Sequence, residues 1–241
     1  RQFRKEGKTI LFVSHDANTI VRYCDKAILL DQGKLIDINT SKSIVNQYLE
    51  LLHSDERTTV DVTKQKKVIS SNDIKEVQHI GYRKEDSVAI SAIGTFMSEI
   101  PTEEICSHRN SYNHNEHRWG NGNAKILDYL IICNEQIDPT CICTHDEISI
   151  FLKVLFNESI QMPIYGLSIK TKDGIEIYGT NTWFEEFPVS SQKKGSVVVV
   201  RMLVKMSVVE GDIFFNIGIA EKTETEEIFP LDRRYDFIHL K

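Results

Sequence analysis

No apolar run in this chain is long enough to cross a bilayer. The longest, Tyr129 to Cys133, stops at once against Asn134 and Glu135, far short of the ~20 residues a spanning helix needs. Cysteine is scarce and unpatterned. The five residues (Cys24, Cys106, Cys133, Cys141, Cys143) are odd in number and lack a C-x-x-C pair, which argues against a disulfide framework or a zinc ribbon and fits a reducing cytoplasm. Excess positive charge is missing as well: 29 Lys and Arg against 35 Asp and Glu leave a net charge of −6. Such a chain has no global attraction to phosphate backbones or anionic lipid, so nucleic acid is a poor default partner. The opening Arg1-Gln2-Phe3-Arg4-Lys5 carries no apolar segment of the signal-peptide kind. The missing initiator Met leads us to expect that the sequence begins inside a longer protein. What remains, 41% hydrophobic and 27% charged over 241 residues, is ordinary for one or two globular domains.

The first fifty residues alternate strand and helix patterns. Lys8 to Val13 is a β-branched and apolar run of the kind buried in an α/β sheet. It is followed by Ser14-His15-Asp16 and a short helix over Ala17 to Tyr23, with Asp16 as N-cap. Lys26 to Leu30 and Lys34 to Ile38 read as two strands around a tight turn in which Gly33 supplies positive φ. From Ser41 to Leu52 the apolar residues share one helical face.

Residues 54–86 are rich in Ser, Thr, Asp and Lys and read as a linker. Ser87 to Met97 reads as a first strand, and the polar, Asn- and His-rich Pro101 to Arg118 as a long loop. Beyond Trp119 seven strands are expected: Asn123–Cys133, Glu147–Asn157, Pro163–Lys170, Ile175–Trp183, Ser196–Val208, Asp212–Glu221 and Tyr235–Leu240. In the second, Ile148, Ile150, Leu152, Val154 and Phe156 repeat with the period of two that a half-buried strand requires. Turn residues stand between the strands at Asp138-Pro139, Asp173-Gly174, Lys193-Lys194-Gly195 and Glu210-Gly211. The pattern predicts a mainly β protein: an antiparallel β-sandwich, jelly-roll or immunoglobulin-like, over 87–241, preceded by an α/β piece over 1–53.

The run TILFVSHDANTIVRYCDKAILLDQGKLI resembles the distal end of an ABC-type nucleotide-binding domain. The resemblance places His15 as that family's switch histidine, which contacts the γ-phosphate of ATP; an imidazole at a strand end is chemically suited to this. A Ser14-His15-Asp16 catalytic triad is excluded, since adjacent side chains on an extended segment diverge. The chain has no G-x-x-x-x-G-K-[ST] loop, no LSGGQ-like signature and no acidic Walker B strand. ATP and Mg²⁺ are therefore expected of the full-length protein and not of this stretch alone, which should not hydrolyse ATP by itself.

An ABC tail, a linker and a β-sandwich in succession resemble the nucleotide-binding subunit of O-antigen polysaccharide exporters, the Wzt family. Arg118-Trp119-Gly120-Asn121-Gly122-Asn123-Ala124, Gly179-Thr180-Asn181-Thr182 and Glu210-Gly211-Asp212 look like that family's motifs. The resemblance implies a sandwich that binds a lipid-linked polysaccharide and a membrane-spanning permease as partner. It also implies a homodimer, peripheral at the cytoplasmic face of the inner membrane. Sugars offer apolar C–H faces and dense hydroxyls, so aromatic platforms beside planar amides and carboxylates are sought. Trp183, Tyr165, Tyr178 and Trp119 are candidates for stacking, and Asn181, Thr180, Thr182, Glu185 and Glu186 for hydroxyls. The competing reading of Trp119 is a core anchor at a strand start, and of Asn181 and Thr182 the satisfaction of backbone groups at a strand end.

Cys106, His108, His114 and His117 fit no standard ligand spacing and read as a solvated cluster, so no metal is expected. Other function classes stay open: a regulatory or dimerisation β-domain on an ABC ATPase, or an enzyme that modifies glycan. The last would need two convergent carboxylates, and the neighbours Glu185 and Glu186 diverge on a strand.

Overall fold

A computed structural model describes residues 9–52, 87–207 and 210–241. The expected linker lies outside these residues. In the N-terminal unit, α1 (Ala17–Tyr23), β1 (Lys26–Asp31), β2 (Lys34–Thr40) and α2 (Ser41–Leu52) follow the sequence pattern closely. The β1–β2 hairpin turns on Gln32 and Gly33, at φ 46° and 78°, the conformation of the tight turns that match strand twist. The expected strand at Lys8–Val13 is not formed: residues 9–13 pair with no described strand, and Leu11 and Val13 are exposed. A strand buried on both faces needs hydrogen-bonded neighbours on either side, and none of the described strands supplies one.

A further correction concerns Ser87–Met97, which is helical as α3 (Ser87–Ser98). Its packing shows why: Ile93, Phe96 and Met97, three and four apart, meet Leu130, Phe151 and Val199 on one sheet, the spacing of one helix face. The first sandwich strands are instead β3 (His117–Trp119) and β4 (Ala124–Cys133). There follow β5 (Gln136–Ile137), β6 (Glu147–Phe156), β7 (Pro163–Thr171), β8 (Glu176–Asn181), β9 (Val197–Lys205), β10 (Ile213–Lys222) and β11 (Ile228–Leu240).

Two antiparallel sheets face each other, one ordered β3-β11-β10-β7-β8 and the other β5-β4-β6-β9. The period of two in β6 is realised in full, since Ile148, Ile150, Leu152, Val154 and Phe156 all turn into the common core. They meet Tyr165, Leu167 and Ile169 of β7 and Phe215, Ile217 and Ile219 of β10 there. In β4 the alternation changes phase. Ala124 and Ile126 point inward, then Tyr129, Ile131 and Cys133, because Leu127 is an extra residue between Ile126, paired with Val154, and Asp128, paired with Lys153.

The segment before β3 has little regular structure beyond one turn of 3₁₀ helix at Cys106–His108, as a loop should. Charge anchors it. Arg109 grips Asp128 through two bonds of 2.9 and 2.6 Å and reaches Asp138 at 2.7 Å. Arg118 grips Asp232 at 2.7 and 2.6 Å and also meets Glu104. Arg234, fully buried on β11, donates to Glu116 through Nε at 2.8 Å and through its second terminal nitrogen, and lies 2.8 Å from Glu104. Burial alone would raise the Glu104 carboxyl, but Arg234, Arg118 and Lys125 together hold it below its ordinary value. Buried charges persist when paired in this way. The same segment holds Cys106 against Arg234, and burial pushes that thiol up to about 12.

Candidate functional site: a groove between two edge strands

The strands β8 and β9 end their respective sheets on the same side of the sandwich, and a groove of about 760 Å³ opens between them. One wall carries Tyr165 and Leu167 of β7 with Tyr178, Thr180, Asn181 and Thr182 of β8 and its end; the other carries Val198, Val200, Met202 and Val204 of β9. Phe187, Val189 and Gln192, from the connection between the two strands, close it. The interior is therefore apolar and the rim polar, which is the usual make-up of a ligand cleft.

Local hydrogen bonds fix the rim. The Thr182 amide donates to Tyr165 O at 2.9 Å and its hydroxyl accepts from the Tyr165 amide at 3.1 Å, so Thr182 continues the ladder one step past β8. Asn181 Oδ1 accepts from the Phe184 amide at 2.8 Å, and the Phe187 amide returns to Thr182 O at 2.9 Å. Together these fold residues 182–187 into a compact turn. The roles are those expected of Asn and Thr at a strand end. Thr180 donates to Glu185 at 2.5 Å, while Glu186 takes the left-handed backbone conformation of the turn, at φ 52°.

The aromatic candidates separate into three groups. Tyr178 and Trp183 are 47% and 55% exposed, and the Lys222 ammonium lies 3.2 Å above the Trp183 ring, close enough for a cation–π contact. Phe184 and Phe187 extend the same exposed knuckle. Tyr165 is buried and forms floor, and burial drives its phenol well above the ordinary range, so it stays a neutral hydroxyl. Trp119 is a correction. It is 6% exposed on β3, the opposite edge of the five-stranded sheet, four strand spacings or ~19 Å from β8. Its ring packs beside Tyr235.

The motif that contains Trp119 serves the backbone. Gly120, at φ 146°, passes so close to β11 that a Cβ would collide with the Leu231 carbonyl. Asn121 and Gly122 donate to Pro230 O and Leu231 O at 3.1 and 2.9 Å. His15 is exposed in the bend before α1 and takes no part in the groove. His114 packs edge-on against Tyr112 and His117 stacks on Tyr235. Among the described residues no three His, Cys, Asp or Glu side chains are grouped to hold a metal ion.

A second cavity, about 510 Å³, lies between α3 and the four-stranded sheet. Its charged groups, Lys153, Asp128, Arg109 and Glu99, are equal in number by sign, and Lys153 donates to the Glu99 carbonyl. Burial depresses the Lys153 amine below its ordinary value. This balance marks a structural cluster rather than a site for a charged ligand.

Residues 115–241, more than half of the chain, match the Wzt C-terminal domain family. The chain belongs to that family. A solved crystal structure of the C-terminal domain of Wzt superposes with a TM-score of 0.55 and 33% identity, covering 59% of this chain and 85% of that one. Similarity also extends to longer proteins. The ABC transporter protein AbcA of Aeromonas salmonicida is 42% identical over 59 residues, 24% of this chain and 19% of its own length. The teichoic acids export ATP-binding protein TagH of Bacillus anthracis is 32% identical over 85 residues, 35% of this chain and 15% of its own. The O-antigen export system ATP-binding protein RfbB of Klebsiella pneumoniae is 35% identical over 52 residues, 22% and 21%. The chain thus spans about a fifth or less of each of these relatives. For a Wzt C-terminal domain, the groove includes residues with no polar signature of their own: the apolar face of β9 reads in sequence as ordinary core.

Proposed function

We propose that the Wzt C-terminal domain in this chain binds a surface polysaccharide in the groove between β8 and β9. The observation that carries the reading is the convergence of Tyr178, Thr180, Asn181 and Thr182 on one opening floored by Tyr165, with Trp183 exposed beside it. Aromatic faces at the mouth suit the C–H faces of pyranose rings, and the rim amide, hydroxyls and Glu185 carboxylate suit their hydroxyls. The O-antigen and teichoic acid export proteins among its relatives support a polymer as ligand.

In the full-length protein, ATP and Mg²⁺ would be held by an ATPase core, with His15 at the γ-phosphate, and glycan capture would be coupled to passage through a membrane-spanning permease. The subunit would work as a homodimer on the cytoplasmic face of the inner membrane. The test is titration of the 241-residue chain with purified O-polysaccharides and teichoic-type polymers, comparing wild type with Trp183→Ala. Saturable binding weakened by ~5-fold or more, the loss of about 1 kcal/mol or more of stacking, is expected. Absence of binding across the panel, or equal binding by Trp183→Ala and wild type, refutes the assignment.

A further inference from the structure

The outer face of the five-stranded sheet, the one turned away from the core, carries a second set of contacts. The Asp173-Gly174 turn between β7 and β8 closes with Gly174 at φ 78°, and a Cβ there would collide with Val21 Cγ1 of α1. On β11, Asp236 lies in the left-handed region at φ 54°, 3% exposed, its amide donating to Asn216 Oδ1 at 2.7 Å. Two ammonium groups reach its carboxylate, Lys170 from within the sheet at 3.2 Å and Lys42 of α2 at 2.8 Å. Lys42 also lies 4.8 Å from the centre of the Phe214 ring on β10. On β3, His117 Nε2 is 3.4 Å from Glu50 of α2. Three contacts therefore run from the β7–β8 turn across β10 and β11 to β3, nearly the full width of the sheet. A carboxylate as buried as that of Asp236 needs more than one compensating group, and the N-terminal unit supplies the second.

We infer that this face is the seat on which the chain's own residues 17–52 dock, and that β8 links the seat to the groove. One end of β8 begins at the turn beneath Val21; the other carries Tyr178, Thr180, Asn181 and Thr182. The distance from Gly174 to Thr182 is ~25 Å along one strand. Among the described residues β8 is an edge strand paired only with β7, and its register shifts at Ile169/Lys170, next to the turn. It is thus held on one side only and free to respond at both ends as one element. Docking fixes the turn and so preorganises the groove. By reciprocity, a polymer that selects the groove's shape favours docking to the same degree. This link rests on the proposal that the groove takes glycan; the docking itself does not.

Cross-linking of the full chain with a short amine-to-amine reagent separates the two. Because Lys42 and Lys170 share one carboxylate, mass spectrometry is expected to find them joined in wild type, with the yield reduced severalfold in Val21→Asp and in the milder Glu50→Gln. Absence of the Lys42–Lys170 product from folded wild type overturns the docking. A polymer that binds wild type is expected to bind both variants about fivefold or more weakly and to raise the cross-link yield in wild type. Equal affinity for wild type and variants overturns the role of β8. Failure of every O-polysaccharide and teichoic-type polymer to bind overturns the glycan reading and the link together, while the cross-link still decides the docking.

Discussion

Replacing Arg234 with Met keeps the aliphatic stem and removes the charged head, whose central carbon lies 3.8 Å from the centre of the Phe237 ring. Among the described residues that head is the only cation within 4 Å of Glu116, whose side chain is 10% exposed; the remaining bond to that carboxylate is from the Tyr112 hydroxyl, at 2.7 Å. Glu104 is less affected, since Arg118 and Lys125 stay beside it. Removing one partner of a buried pair leaves the other uncompensated and destabilises by ~3–5 kcal/mol. At ~3 °C per kcal/mol for a protein of this size, the midpoint of thermal unfolding followed by circular dichroism should fall by roughly 9–15 °C. One control sharpens the test. Adding Glu116→Gln should recover most of the loss, because the stranded charge is gone. A loss below ~1 kcal/mol, or no recovery on adding Glu116→Gln, refutes the view that this network anchors the segment before β3.

Because the folded Glu104 carboxyl titrates below its ordinary value of 4.5, its contribution is fully present above that value. It should be lost as pH falls through the lower folded one; Glu104→Gln should flatten this part of an acid denaturation curve. Gly120→Ala should lower stability by ~2 kcal/mol or more, since it adds a collision with the Leu231 backbone to a left-handed φ; a shift under 0.5 kcal/mol in urea unfolding would contradict the geometry. Lys153→Met should leave stability at pH 7 within ~1 kcal/mol of wild type, because Asp128 keeps Arg109. The amine is depressed when folded, so the unfolded chain binds more protons below the ordinary lysine value and wild type gains on the variant as pH rises through that window. A difference between the two that is constant with pH would show that the amine is not depressed.

Much of the sandwich is legible in the residues because its strands obey a period of two, β6 most plainly. The N-terminal helix α2 is equally plain, its apolar residues being three and four apart. The helix α3 escapes such reading because Ser87–Ser98 is apolar and β-branched, and a short apolar run carries no decisive period; only the spacing of Ile93, Phe96 and Met97 betrays it. The Pro101–Arg118 stretch looks featureless because what orders it are ion pairs to Asp128, Asp232 and Arg234, over separations no local pattern reveals. At the groove, Asn181 and Thr182 stand out through the strand-end chemistry of their side chains. The β9 wall does not, because whether a valine-rich strand faces a core or an opening depends on which strands lie beside it. Trp119 and Trp183 are chemically alike in sequence; their places at opposite sides of one sheet decide that only Trp183 is open to a ligand.

The extra residue at Leu127 has a consequence for how this domain can change. Its carbonyl receives the Ile105 amide at 2.8 Å, so the phase change in β4 also serves as the catch for the preceding segment. Deleting Leu127 would not merely shorten a strand: it would turn Ala124 and Ile126 toward solvent while Tyr129 and Ile131 stayed inside. Length variation among related chains should therefore collect in the turns, and within β4 the residue count is expected to be held constant even where side chains drift.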